Sequence, residues 1–258
     1  MNETVIFAQS GCQHGGRQRL TMLARFIECQ WLNLLRTPAY TLPTLLFPVM
    51  FYAFFGLLMI RGQAQYLLCT FATFGCIGAA LFAFGVGIAT ERAQGWLTLL
   101  RATPASIAAI LVGKWFGAGL FAAMITLIMA VLAAILGGVR METLQWSGLL
   151  LVMVLGSMPF AALGLGLGMS MSPNAAPAVV NLIYLPLAFL SGLWVPVSQF
   201  PSWLQAMAEW LPPYHLAALA LHVTGTQSGM PILSLALLTG YTLLFTLFAA
   251  WAWRRPAQ

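Results

Sequence analysis

The sequence predicts an all-α integral membrane protein with six membrane-spanning helices and both termini in the cytoplasm. Of its 258 residues, 61% are hydrophobic and 6% are charged, whereas about a quarter of the residues in soluble domains are charged. The mean hydropathy is +0.90. Uncharged stretches such as residues 62–90 and 143–208 exceed the roughly 20 apolar residues that a helix needs to cross a bilayer. Lipid is therefore expected to surround most of the chain.

The first three predicted spans occupy residues 40–60, 66–89 and 107–136. No charge occurs between Arg36 and Arg61. A helix over the first of these ranges rises about 31 Å, at about 1.5 Å per residue, which is enough for a hydrocarbon core of about 30 Å. The third span is interrupted only by Lys114, near its start.

The last three predicted spans occupy residues 146–169, 178–195 and 231–253. The uncharged stretch that contains the first two has room for both. Pro173, Asn174 and Pro177 predict the turn between them. Arg254 and Arg255 close the sixth span.

Lysine and arginine are distributed unequally between alternate loops. With the N-terminus inside, the cytoplasmic side carries Arg17, Arg19, Arg25, Arg36, Arg92, Arg101, Lys114, Arg254 and Arg255. The outer side carries Arg61 and Arg140. Because cytoplasmic loops are enriched in basic residues, this distribution predicts that both termini are cytoplasmic.

Two further segments are amphipathic but do not span. One helical face near the N-terminus carries Leu20, Leu23, Ile27, Trp31 and Leu34. Its basic flanks predict a helix that lies along the inner surface, and the alternative is a solvated helix with a chance stripe. Residues 1–17 are predicted to be a flexible leader, and residues 18–255 a single transmembrane domain.

The second amphipathic segment lies outside, between the fifth and sixth spans. Phe200, Trp203, Leu204, Met207 and Leu211 share one face of a helix there. Surrounding prolines exclude one continuous span. The pattern predicts a short re-entrant helix, or a pair of helices, in the outer leaflet.

The sequence lacks the residues that several other kinds of function require. The sequence has no aspartate, and its five glutamates lie outside the centres of the predicted spans, which disfavours a proton-coupled carrier. Gly113 and Lys114 are followed by Trp115, where a phosphate-binding loop needs Ser or Thr. The chain is therefore not expected to bind ATP or to be an enzyme. Its cysteines show no metal-ligand spacing, and no basic surface indicates a nucleic-acid partner.

Two weaker patterns remain. Ser191 and His215 are the residue types of a serine–histidine dyad, but nothing in the sequence indicates that they meet. The glycine pairs Gly113/Gly117 and Gly164/Gly168 have the spacing that lets membrane helices approach closely. The pattern does not identify the partner helices.

Residues 91–114 join the second and third spans on the inner side and read ERAQGWLTLLRATPASIAAILVGK. This segment resembles the cytoplasmic segment of the type-2 permeases of ABC transporters, the family of bacterial drug and polysaccharide exporters. The matching residues are Glu91, Arg92, Gly95, Leu99, Leu100, Thr103, Pro104, Gly113 and Lys114. Ala93 and Trp96 depart from the family pattern, which often has an acid and usually a threonine at these positions.

Residues 190–215 resemble the outer segment of the same family, and the resemblance covers residues 18–255. It implies a permease subunit of an ATP-driven exporter in the bacterial cytoplasmic (inner) membrane. The subunit would act as a homodimer or with a sister permease, and a separate ATP-binding subunit would hold ATP and Mg²⁺. Amphipathic drugs, lipids and lipid-linked glycans suit an apolar path. The alternatives are a passive channel, a secondary carrier or an intramembrane enzyme.

The residues expected to couple the chain to the ATP-binding subunit are Glu91, Arg92, Gly95, Trp96, Leu99, Leu100 and Arg101. The two leucines and Trp96 form an apolar face, and Thr103 followed by Pro104 suits the start of the third span. The resemblance implies that this segment docks into a cleft of the ATP-binding subunit. The alternative is an ordinary loop.

A substrate path is expected along two stripes. Phe47, Phe51 and Phe54 lie on the first span, and Asn181 and Tyr184 lie on the fifth. The amide of Asn181 is expected to seek a partner within the membrane. The alternative for these residues is contact with lipid or ordinary core packing.

Overall fold

The computed structural model of the chain describes residues 38–60, 62–95, 107–227 and 231–254. Within these ranges the regular structure is helical and no strand occurs. The helices in chain order are α1 (Pro38–Phe51), α2 (Ala64–Ala93), α3 (Ile107–Ile135), α4 (Thr143–Gly156), α5 (Met158–Ser170), α6 (Ala176–Leu190), α7 (Ser202–Ala208), α8 (Pro212–Val223) and α9 (Pro231–Arg254). The predicted N-terminal surface helix lies outside the described residues.

Helices lie at all six predicted spans. Within the described ranges, the stretches long and apolar enough to cross a membrane are Ala64–Ala93, Trp115–Ile135, Thr143–Ser170 and Pro231–Arg254. The helical stretches Thr44–Met59 and Ala176–Leu190, at the first and fifth predicted spans, are apolar but shorter. These observations agree with an all-helical polytopic membrane protein.

Local sequence explains the irregular points of these helices. The fourth predicted span begins at Thr143 rather than at residue 146, because the Glu142 N–H is satisfied by Gln145 Oε1 at 3.0 Å. It breaks between α4 and α5 because Pro159 has no N–H for a helical hydrogen bond. α1 continues as π-helical turns over Tyr52–Met59.

The central helix of the bundle is α2, which packs against α1, α3, α5, α6 and α8. Its residues are buried without interruption from Leu67 to Leu81. A helix that other helices surround needs no polar face, which explains why α2 is apolar on all sides. α9 lies at the periphery, where it packs against α5 and α8.

A close crossing of α2 and α5 depends on glycine. A Cβ at Gly168 would lie 2.6 Å from the carbonyl oxygen of Phe84 and 2.7 Å from that of Gly85. A Cβ at Gly164 would lie 3.0 Å from the Phe84 Cβ. Small residues let helix backbones approach this closely in a membrane. The partner of the Gly164/Gly168 pair is therefore α2, whereas a Cβ at Gly117 would meet nothing within 4 Å.

The segment between α6 and α9 contains two helices, α7 and α8. A 3₁₀ turn at Val197–Gln199 precedes α7. The predicted apolar face is divided: Phe200 and Leu204 are buried, and Trp203 and Met207 are exposed. The main packing of this segment comes from α8, which contacts α2, α4 and α9.

Candidate functional site

The predicted coupling segment begins on the last turn of α2. This helix continues to Ala93, so Glu91 and Arg92 are helical. Gly95 follows with a φ of +76°, and its N–H donates to the Arg92 carbonyl oxygen at 3.1 Å. Glycine adopts this left-handed conformation without a steric penalty, which makes it a common helix end. Trp96, Leu99, Leu100 and Arg101 lie outside the described residues.

Arg92 is held against the end of α5. Its guanidinium donates hydrogen bonds to the carbonyl oxygens of Met169 and Met171, the second at 2.9 Å. The last carbonyls of a helix lack helical partners and carry the negative end of the helix dipole. The planar guanidinium can serve two of them together. Arg92 therefore links the predicted coupling segment to the turn between α5 and α6.

Aromatic rings join α1, α2 and α6 on one side of the bundle. The ring centroid of Phe51 lies 6.5 Å from that of Phe74 and 6.2 Å from that of Trp194. Phe74 stacks on Tyr184 with centroids 4.8 Å apart. Such pairs attract beyond the effect of burial alone. Sequence reasoning misses Trp194, because it follows α6 in a turn and belongs to no helical stripe.

The predicted path residues differ in exposure: Tyr184 is buried, Phe51 is partly buried, and the others are exposed. Phe51 and Tyr184 pack within the aromatic cluster. Tyr184 is 6% exposed, and its hydroxyl donates to the Phe74 carbonyl oxygen at 2.8 Å. The exposed members are Phe47, at 47%, Phe54, at 51%, and Asn181. The structure thus joins the two stripes through Phe74 of α2 and leaves part of each at the surface of the single chain.

Two buried polar atoms follow α6. Ser191 Oγ and Trp194 Nε1 have no hydrogen-bond partner among the described residues. Gly192, between them, has a φ of +76° and shapes the turn. Leaving such a group buried and unpaired costs about 1–3 kcal/mol.

The hydrogen-bond partners of His215 are Ser234 and Glu209 rather than Ser191. Its Nε2 lies 2.8 Å from the Glu209 carbonyl oxygen, and its Nδ1 lies 3.2 Å from Ser234 Oγ. Because a carbonyl only accepts, Nε2 carries the proton and the Ser234 hydroxyl donates to Nδ1. The bond at Nδ1 therefore holds α8 against α9, and the bond at Nε2 ties α8 to the end of α7.

We expect the protein to lose stability as the pH falls through about 6.5, the ordinary pKa of histidine. Burial lowers the pKa of His215, so below this pH the unfolded chain binds a proton that the folded chain disfavours, and the free energy of unfolding decreases. Thermal unfolding in detergent across this pH range measures the effect. His215→Gln should flatten the profile, and His222→Gln, exposed on the same helix, should not. A flat profile in the native protein would contradict this role.

Within the described part of the chain, no group of three or more His, Cys, Asp or Glu residues is placed to hold a metal ion. Cys69 and Cys76 are buried free thiols of α2. The Sγ of Cys69 lies 3.4 Å from Thr224 Oγ1, and the Sγ of Cys76 lies 3.7 Å from Thr126 Oγ1. These thiols pack α2 against the end of α8 and against α3.

Comparison with known proteins identifies the family of the chain. Over 231 residues the chain is 26% identical to "Putative transport permease YvfS" of Bacillus subtilis (strain 168), and the alignment covers 86% of this chain and 93% of that protein. Residues 23–224 match the family model described as ABC-2 type transporter. That match runs from before α1 to the end of α8, and the chain therefore belongs to the ABC-2 type transporter family of membrane permeases.

Proposed function

We propose that the chain is the membrane subunit of an ATP-driven exporter in the bacterial cytoplasmic membrane, with six spans and both termini inside. Two copies, or this chain and a sister permease, enclose the path, and a separate subunit binds ATP and Mg²⁺. Family membership and the charge distribution support this proposal. The observation that carries it is the bond of Arg92 to α5, which connects the segment that meets the ATP-binding subunit to the membrane helices.

Movement at the inner surface reaches the membrane helices through α2 and α5. The segment of residues 91–101 docks on the ATP-binding subunit. Arg92 and the glycine crossing at Gly168 make α2 and α5 move together, because a close-packed crossing has no space in which to slide. α6 follows α5 after a short turn and carries Asn181 and Tyr184. Closure of the ATP-binding subunits is thereby passed to the helix that borders the path.

The path lies where the exposed parts of α1 and α6 face a second permease subunit. An amide such as Asn181 is costly in contact with lipid tails, so a protein or substrate contact there is favoured. Phe47 on α1 and Phe54 on its π-helical continuation provide an apolar surface. This combination suits amphipathic drugs, lipids or lipid-linked glycans.

Affinity purification of the tagged chain from its native membrane tests the assembly. Mass spectrometry of the proteins that come with it should identify an ATP-binding subunit. An intact chain that is purified without any ATP-binding protein would contradict the proposed function.

We expect Arg92→Ala to disconnect ATP binding from movement of α5 and α6. A spin label at Asn174→Cys, in a background without the native cysteines, lies on the exposed turn between these helices. In the native complex ATP should change the distance between the labels of the two subunits. In Arg92→Ala the distance should stay constant while the ATP-binding subunit remains bound. Arg92→Lys keeps the charge but loses the planar fork, and should give a smaller change than the native residue.

Arg140→Ala is the matched control, because Arg140 is an exposed arginine in the loop between α3 and α4. It should respond to ATP as the native complex does. A full response of Arg92→Ala would show that its bonds to α5 do not transmit the movement. The co-purification result would be unaffected.

A further inference from the structure

A groove opens between α3, α5 and α9. Its wall includes Trp115, Leu165, Thr246, Ala250, Trp253 and Arg254. Its volume is about 180 Å³. An apolar cavity of about 150 Å³ is large enough for benzene, so this groove has room for part of one hydrocarbon chain.

The wall of the groove is apolar along its length and charged at one end. On α9 the lining residues run from Thr246 to Arg254 along one helical face. The Thr246 hydroxyl donates to the Thr242 carbonyl oxygen at 2.6 Å and so offers no free donor. Arg254 is exposed at the end of the helix, and no lining residue is acidic. This arrangement suits a molecule with an apolar chain and an anionic end.

The tryptophans indicate the depth of the groove in the membrane. Trp115 lies near the start of α3, directly after Lys114 in the sequence. Trp253 lies at the end of α9, directly before Arg254. Tryptophan is enriched where the hydrocarbon core meets the headgroups. With the predicted topology, the charged end of the groove lies at the inner headgroup level.

We propose that this groove binds one anionic phospholipid of the inner leaflet. Its acyl chain lies in the groove that α3, α5 and α9 border, and its phosphate lies at Arg254, which Arg255 follows in the sequence. The N-terminal segment of the chain is a rival occupant. Residues 17–36 carry four arginines and one glutamate, so their net charge has the same sign as Arg254. Charge therefore favours an anionic phospholipid over the basic N-terminal segment as the occupant of the groove.

The proposed lipid is distinct from the cargo. The groove is lined by α3, α5 and α9, whereas the stripes of the proposed path lie on α1 and α6. A bound lipid would fill the groove beside α9 and hold this peripheral helix in place. The inference rests on membrane topology and does not require transport.

Native mass spectrometry of the purified chain tests the proposal, with phosphatidylglycerol and phosphatidylcholine of identical acyl chains. The native chain should retain phosphatidylglycerol more strongly. Arg254→Gln should lower its affinity about fivefold without changing that of phosphatidylcholine, since one basic residue near the surface contributes about 1 kcal/mol. Ala250→Phe should fill the groove and lower retention of both lipids.

Ala236→Phe is the matched control, because Ala236 is exposed near the other end of α9. It should bind both lipids as the native chain does, and thermal unfolding should show that all three variants are folded. Equal retention of the two lipids by the native chain would overturn the proposal. So would unchanged binding in Arg254→Gln and Ala250→Phe, or a gain in lipid binding when residues 1–36 are removed.

Discussion

Gly168→Ala should lower the free energy of unfolding by about 1–3 kcal/mol, the usual effect of overfilling a packed site. The added Cβ would meet the carbonyl oxygens of Phe84 and Gly85 at 2.6 and 2.7 Å. Both atoms belong to the backbone of α2 and cannot move aside as a flexible side chain would. The two helices must separate, which also draws Met169 away from Arg92. Thermal unfolding in detergent measures the loss of stability.

Two further glycine variants are expected to lose less stability than Gly168→Ala. Gly164→Ala should cost less, because its nearest contacts would be 3.0 and 3.2 Å away. Gly87→Ala, on α2, is the control, since its Cβ would meet nothing within 4 Å. Alanine in place of a helical glycine is otherwise stabilising by about 0.5–1 kcal/mol. Equal stability of the Gly87 and Gly168 variants would show that the crossing of α2 and α5 is looser than the structure shows.

Trp96→Ala and Leu100→Ala should each weaken association with the ATP-binding subunit by roughly thirtyfold. Truncating a buried interface anchor commonly costs on the order of 2 kcal/mol or more, and 1.4 kcal/mol is a factor of ten in affinity. Both residues belong to the apolar face that the sequence predicts between the second and third spans. Co-purification of the ATP-binding subunit measures the association.

Trp203→Ala is the control for the loss of an exposed tryptophan, because Trp203 is 67% exposed on α7. It should leave association unchanged. Glu91→Ala should reduce ATP-driven transport with a smaller effect on assembly. Full assembly and full transport in the Glu91, Trp96 and Leu100 variants would mean that the segment is a passive loop.

Arg92 shows the limit of reading a functional segment from sequence. Its place among charged and apolar residues at the inner surface predicts a contact with a partner subunit. In the structure its guanidinium bonds the carbonyl oxygens of Met169 and Met171, which are 77 and 79 residues away along the chain. Backbone acceptors have no sequence signature, because every residue carries the same carbonyl group. Only folding could reveal this pair.

The aromatic stripes show a second limit. Phe47, Phe51 and Phe54 lie on the first predicted span, and the sequence predicts for them a common surface. The structure packs Phe51, which is partly buried, against Phe74 and Trp194 and leaves the other two about half exposed. Tyr184, predicted as a path residue, bonds the backbone of α2. Periodicity locates a face, but the neighbouring helices determine how much of it is covered.

The sequence by itself determined the helical membrane class and the positions of the long apolar helices, because each depends on a continuous run of residues. An uncharged run of about 20 residues suits a membrane helix whatever surrounds it. Only the tertiary structure decided that α2 is central and that α5 crosses it closely at Gly168. It also decided that Arg92 donates hydrogen bonds to carbonyl oxygens at the end of α5 and that a groove opens beside Arg254. The physical reason is that lipid tails and neighbouring helices are equally apolar. An apolar face therefore looks the same in the sequence whether it meets lipid or protein.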